Sequence, residues 1–143
     1  MAVAPTITPV YTANVTVTGG RQGRACSSDG VLDVRLKSPG ASGDPHATNP
    51  EQLFAAAFGA CFQSALLGAA RRAGEEASGS TVQAEVSLGK EGSGAYGLAV
   101  TLTVRIPGLD LAKVQEIANA AHETCPYSRA TRGNIDVRVI AAD

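Results

Sequence analysis

Two thiols come first in any chemical reading of this chain. Cys61 lies inside "LFAAAFGACFQSALLGAA" (Leu53 to Ala70), a nearly uninterrupted apolar segment of helical character. Cys125 lies in "HETCPYSRATRGNIDV", where Pro126 cannot continue a helix and biases the residue before it toward extended backbone. A cysteine in an apolar segment is most often a small core hydrophobe. The two settings nevertheless differ, with one thiol enclosed in a helix and the other at a break, where access is expected to be easier. That asymmetry suits an attacking thiol and a resolving thiol joined through a sulfenic acid. It also suits two unrelated cysteines.

A reactive Cys61 must be a thiolate, and apolar surroundings push a thiol above its usual pKa of about 8.5. Lowering it by two units requires roughly 2.7 kcal/mol of preferential stabilisation of the anion, which a guanidinium in a low-dielectric pocket supplies. Arg21, at the tip of the glycine turn "TGGRQG", is the candidate cation. A partly buried guanidinium in turn pairs well with a carboxylate, and Glu51, at the entry to the cysteine helix, is available to hold it bidentately. The plainer alternatives are a solvated turn and a favourable charge at a helix N-terminus. Phe54, Phe58 and Phe62 flank Cys61 at helical spacings, which fits either an apolar substrate pocket or core packing. Glu51 and Cys61 are ten residues apart, about 15 Å along a straight helix, so they cannot touch directly. Either a long Arg21 spans them or Arg21 and Glu51 come from a partner chain.

The elements that must position these residues follow from patterning. "YTANVTVT" (Tyr11 to Thr18) and "VLDVRL" (Val31 to Leu36) alternate as strands, and Asp29-Gly30 marks a hairpin between "RACSS" and the latter, so the chain opens as a three-stranded meander. A Gly/Pro-rich loop, "KSPGASGDPHATN" (residues 37–49), leads to a helix with Asn49 as N-cap, Pro50 at the first position, and an end near Ala73. "TVQAEVSLGK" (Thr81 to Lys90) and "YGLAVTLTVRI" (Tyr96 to Ile106) form a second hairpin. Asp110 caps a helix with Leu111, Val114, Ile117, Ala118 and Ala121 on one face, and "IDVRVI" (Ile135 to Ile140) is the last strand. The order βββ-α-ββ-α-β implies an α+β fold with antiparallel sheets around a long buried central helix, in a single domain over residues 1–143.

Composition narrows the partners. The net charge is −1 and only 17% of residues are charged, so neither nucleic acid nor an anionic membrane surface is an expected target. With 44% apolar residues, more oily surface is expected than one small domain hides, which suggests a homodimer. The start "MAVAPTITPV" lacks the basic and apolar regions of a signal peptide, so a cytoplasmic location is expected, where three cysteines are not a disulfide scaffold. Gln63, Ser64 and the density of Ala and Gly argue for a closely packed soluble helix over a membrane span.

The segments "VTVTGGRQGRACSSDGVLDVRL", "TNPEQLFAAAFGACFQSAL" and "CPYSRATRGNIDVRV" closely resemble the organic hydroperoxide resistance branch of the Ohr/OsmC family, over nearly the whole chain. The resemblance implies that Cys61 is the peroxidatic cysteine, Cys125 the resolving cysteine, and Arg21 and Glu51 the pair that activates the thiolate. It further implies an intertwined α+β homodimer with sites at the subunit interface. The implied activity is the reduction of organic, especially lipid-derived, hydroperoxides through a Cys61–Cys125 disulfide. Dihydrolipoyl groups on lipoylated proteins are the implied reductant, and no metal or bound cofactor is required. The chain departs from the usual pattern at Cys26 and in the loop "PGASGDPHA" (residues 39–47).

Three rival readings are distinguishable. A Cys-His hydrolase would use His122 or His46 as base, although neither adjoins Cys61. A metal module would use Cys26, Cys61, Cys125 and His122, without any paired ligand spacing. A non-catalytic dimeric lipid-binding protein would have Cys61 merely lining an apolar cavity.

Overall fold

The computed structural model describes residues 3–143, so the first two residues of the N-terminal segment read above lie outside it. The chain forms two compact units, one running to Pro50 and the other spanning Glu51–Asp143.

In the first unit, strands β1 (Val15–Thr18), β2 (Arg24–Ser27) and β3 (Asp33–Arg35) form the expected antiparallel meander, in the order β1-β2-β3. The strands are shorter than the alternation implied. The β2–β3 turn is built around Asp29, whose Oδ1 accepts from Val31 N and Ser27 Oγ, and Gly30, at φ 75°. The β1–β2 turn contains a single 3-10 turn, Gly20–Gln22, entered through Gly19 at φ 73°. Gly23 closes it so tightly that a methyl group there would lie 1.7 Å from the Thr18 carbonyl oxygen, a space only glycine leaves open.

The second unit holds the apolar core. Helix α1 (Pro50–Arg72) is followed by β4 (Thr81–Lys90), β5 (Tyr96–Arg105), α2 (Leu111–Thr124), α3 (Pro126–Thr131) and β6 (Asp136–Ala141). Strand β5 is central, and its alternate residues Val100, Leu102 and Val104 are buried in one cluster with Phe58, Phe62 and Leu66 of α1 and Val114, Ile117 and Ala121 of α2. Asp110 caps α2 as expected, its carboxylate accepting from Lys113 N at 2.9 Å.

Three features differ from the sequence reading. The sheet is not wholly antiparallel, because β6 pairs with β5 in parallel. The helices between them carry the chain back to the starting end of β5, the kind of crossover a parallel neighbour requires. The element order is βββ-α-ββ-α-α-β, because Pro126 does not merely end α2 but occupies the first turn of α3. Finally, α1 is not enclosed all round by its own chain. Phe58, Phe62, Leu66, Ala69 and Ala70 form its buried stripe, while Ala56, Ala60 and Ser64 are exposed. Among the described residues α1 is also the one helix long and apolar enough to cross a membrane, with mean hydropathy 1.7 over a window of which 28% is buried.

Candidate active site

The structure brings together the two thiols that the sequence separates by 64 positions. Cys61 faces inward from the middle of α1, and Cys125 is the single residue between α2 and α3. Their sulfurs lie 3.7 Å apart, and both thiols are free. A disulfide needs about 2.05 Å between sulfurs, so a small local movement joins them.

The expected accessibilities are reversed. Cys125 is wholly buried and Cys61 is half-buried. The reason is the unanticipated helix. Instead of opening into a loop, the chain at Cys125 adopts extended dihedrals (φ −61°, ψ 124°) for one residue and re-enters a helix, which turns the thiol into the core. Cys125 N still bonds to Ala121 O at 2.8 Å, and Cys125 O accepts from Arg129 N at 3.0 Å, so both helices are continuous through it in hydrogen bonding.

Burial pushes the Cys61 thiol above its ordinary range. A hydrogen bond with the Tyr127 backbone amide, in the first turn of α3, pulls it back in part, while the neighbouring Cys125 thiol adds to the upward push. Two thiolates at this separation repel, so the pair favours one anion at most.

The three phenylalanines do not share a role. Phe58 and Phe62 have no exposed surface and belong to the core, the second of the two readings their spacing allowed. Phe54 is partly buried and meets the Phe58 ring edge-on, with centroids 5.9 Å apart. Tyr127, a residue the sequence reading did not single out, packs its ring against Phe58 at the same centroid distance and stays 38% exposed.

Arg21 lies in the exposed 3-10 turn of the first unit, and Glu51 is half-buried in the first turn of α1. Both make interactions of their own. Helix α1 runs unbroken from Pro50 to Arg72, so the ten-residue separation of Glu51 and Cys61 keeps them about 15 Å apart along its axis.

The His122 ring is engaged by a neighbouring hydroxyl. Its Nδ1 is hydrogen-bonded to Ser128 Oγ at 2.8 Å, and burial, with the Arg132 charge, holds its pKa below the usual value against a weaker pull from Glu123. Ser128 is wholly buried, and a buried hydroxyl without a partner costs about 1–3 kcal/mol. His46 is exposed. Among the described residues no three His, Cys, Asp or Glu side chains gather as metal ligands. Cys26 sits half-buried on β2, its thiol 3.5 Å from the Ser27 carbonyl oxygen.

Comparison with known proteins gives a consistent answer. The family model described as OsmC-like protein matches residues 42–140. The organic hydroperoxide resistance protein of Xanthomonas axonopodis pv. citri (strain 306) is 46% identical over 138 residues, covering 93% of this chain and 95% of the relative. The organic hydroperoxide resistance protein OhrB of Bacillus subtilis (strain 168) is 48% identical over 132 residues, covering 91% of this chain and 96% of the relative. The crystal structure of OhrB matches with a TM-score of 0.87 over 94% of this chain and all of that one, at 47% identity.

Proposed function

Because the chain belongs to the OsmC-like family, in its organic hydroperoxide resistance branch, we propose that it is a cysteine-based peroxidase that reduces organic hydroperoxides. The observation that carries this reading is the pair of free thiols 3.7 Å apart, one half-buried and the other enclosed behind it. The thiol that a substrate can reach attacks, and the enclosed thiol resolves.

In this mechanism the Cys61 thiolate donates an electron pair to the O–O bond of the hydroperoxide. The bond breaks, the alcohol leaves with a proton, and the sulfur becomes a sulfenic acid. The Cys125 thiol attacks that sulfur, water leaves, and a Cys61–Cys125 disulfide remains. A dithiol donor, the dihydrolipoyl group of a lipoylated protein, restores both thiols by exchange. Arg21 supplies the positive charge that offsets the burial of Cys61, and Glu51 holds that guanidinium in place. Phe54 and Tyr127 offer the apolar flank that favours an alkyl or lipid-derived peroxide over hydrogen peroxide. The protein acts in the cytoplasm as a homodimer, and the homodimer is supported by the exposed far face of α1 and an open groove of about 350 Å³ between α1 and β4, lined by Ala56, Gly59, Ala60 and Val82 among others.

The test is peroxide consumption by the wild type, Cys61→Ser and Cys125→Ser with dihydrolipoamide as reductant. The wild type is expected to turn over cumene hydroperoxide in preference to hydrogen peroxide. Cys61→Ser should be inactive, and Cys125→Ser should stop after the first equivalent. Stoichiometric lipid binding without any peroxide turnover would instead identify the chain as a lipid-binding protein.

A further inference from the structure

The junction that carries Cys125 is held by side chains that the peroxidase cycle leaves unused. One residue separates α2 from α3, so the direction in which the Cys125 thiol points depends on how α3 is set against the last turn of α2. Two tethers set it, and both end on His122. The first is the 2.8 Å bond between His122 Nδ1 and the wholly buried Ser128 Oγ. The second runs from Arg132 Nη2, just beyond α3, to the His122 carbonyl oxygen. Thr131 Oγ1, bonded to Tyr127 O at 2.8 Å, stiffens the short helix internally, so α3 moves as one piece.

We propose that His122 and Ser128 are positioning residues, a clamp across the α2–α3 junction that holds the Cys125 thiol against Cys61 and thereby sets the rate of disulfide formation. The identity of the resolving step rests on the peroxidase reading. The geometric claim does not, because any disulfide exchange at this pair depends on the same alignment. In the peroxide cycle the affected step is the attack of the Cys125 sulfur on the Cys61 sulfenic acid, in which the S–S bond forms, the S–O bond breaks and water leaves. The preceding oxidation takes place at a sulfur carried by α1, which meets α3 through the Tyr127 amide, so it slows less than the resolving step.

The experiment uses the full chain and begins with glutathione. Reduced protein and glutathione disulfide give the Cys61–Cys125 disulfide and two glutathione thiols, and the equilibrium quotient reports the effective concentration of one cysteine at the other. His122→Ala and Ser128→Ala should each lower it about tenfold, the size expected for one hydrogen bond lost from an alignment. The double variant should lose no more than either single one. His122→Asn, whose amide nitrogen stands close to the position of Nδ1, should recover most of the loss. In a single turnover with cumene hydroperoxide, the alanine variants should accumulate sulfenic acid that dimedone traps, because disulfide formation falls by more than the initial uptake of peroxide. An unchanged effective concentration in folded His122→Ala would overturn the proposal, as would a loss that His122→Asn does not recover. His122 is only half-buried, so its variants decide the matter even if Ser128→Ala does not fold. A fall in effective concentration in a protein that consumes no hydroperoxide would sustain the clamp and refute the peroxidase reading.

Discussion

Cys61 is a thiol whose own surroundings favour the protonated form. Burial is the largest influence, the Tyr127 amide opposes it, and the adjacent Cys125 thiol reinforces it. A group held above its ordinary pKa is less ionised at neutral pH, so reactivity there requires a counter-charge. If Arg21 provides that charge, removing it leaves the burial effect uncorrected, and the pH midpoint for alkylation of Cys61 by iodoacetamide moves upward in Arg21→Ala. An unchanged midpoint would assign Arg21 to the turn alone. The candidate thiols were legible in the sequence because their types carry the chemistry. Their exposures were not, since Pro126 reads equally as the end of one helix or the start of the next, and only the latter turns Cys125 inward.

At the scale of elements, the turn that presents Arg21 and the short helix that follows Cys125 matter more than their lengths suggest. Gly23 closes the first turn with no room for a side chain. Gly23→Ala should therefore force the backbone apart, destabilise the fold by about 1–3 kcal/mol in urea unfolding, and shift the Cys61 alkylation midpoint in the same direction as Arg21→Ala. Wild-type behaviour in both measurements would show that the turn tolerates movement. Helix α3 escaped the sequence reading because "PYSRAT" is six residues long and carries no hydrophobic periodicity. The available signal was local: a proline at a first helical position directly after the cap of another helix. The long elements were legible for the opposite reason. Strand β4 runs over Thr81–Lys90 as expected, α1 begins at Pro50, and Asp110 caps α2, because each has a periodic pattern or a capping residue at its boundary.

For the whole molecule, the apolar composition and the observed surface make one joint statement. The chain exposes Val3, Ile7, Val10 and Tyr11 in its N-terminal segment, and its most apolar helix keeps a face of Ala56, Ala60 and Ser64 uncovered. Surface of this kind is usually covered by a partner. Light scattering should therefore give about twice the chain mass, and the urea midpoint should rise with protein concentration, as coupled folding and association require. A concentration-independent midpoint at the mass of one chain would exclude the homodimer.

The sequence by itself determined the candidate thiols, the places of the long periodic elements and the family to which the chain belongs. Residue type, spacing and caps are local properties, readable without a partner in space. Tertiary structure alone decided that β6 lies parallel to β5, that Phe58 and Phe62 are core, that Tyr127 and the His122–Ser128 bond flank the thiols, and that Cys125 is the enclosed thiol and Cys61 the reachable one. All but the six-residue His122–Ser128 bond depend on which segments meet across tens of residues. A single proline at position 126 leaves that choice open until the core has formed.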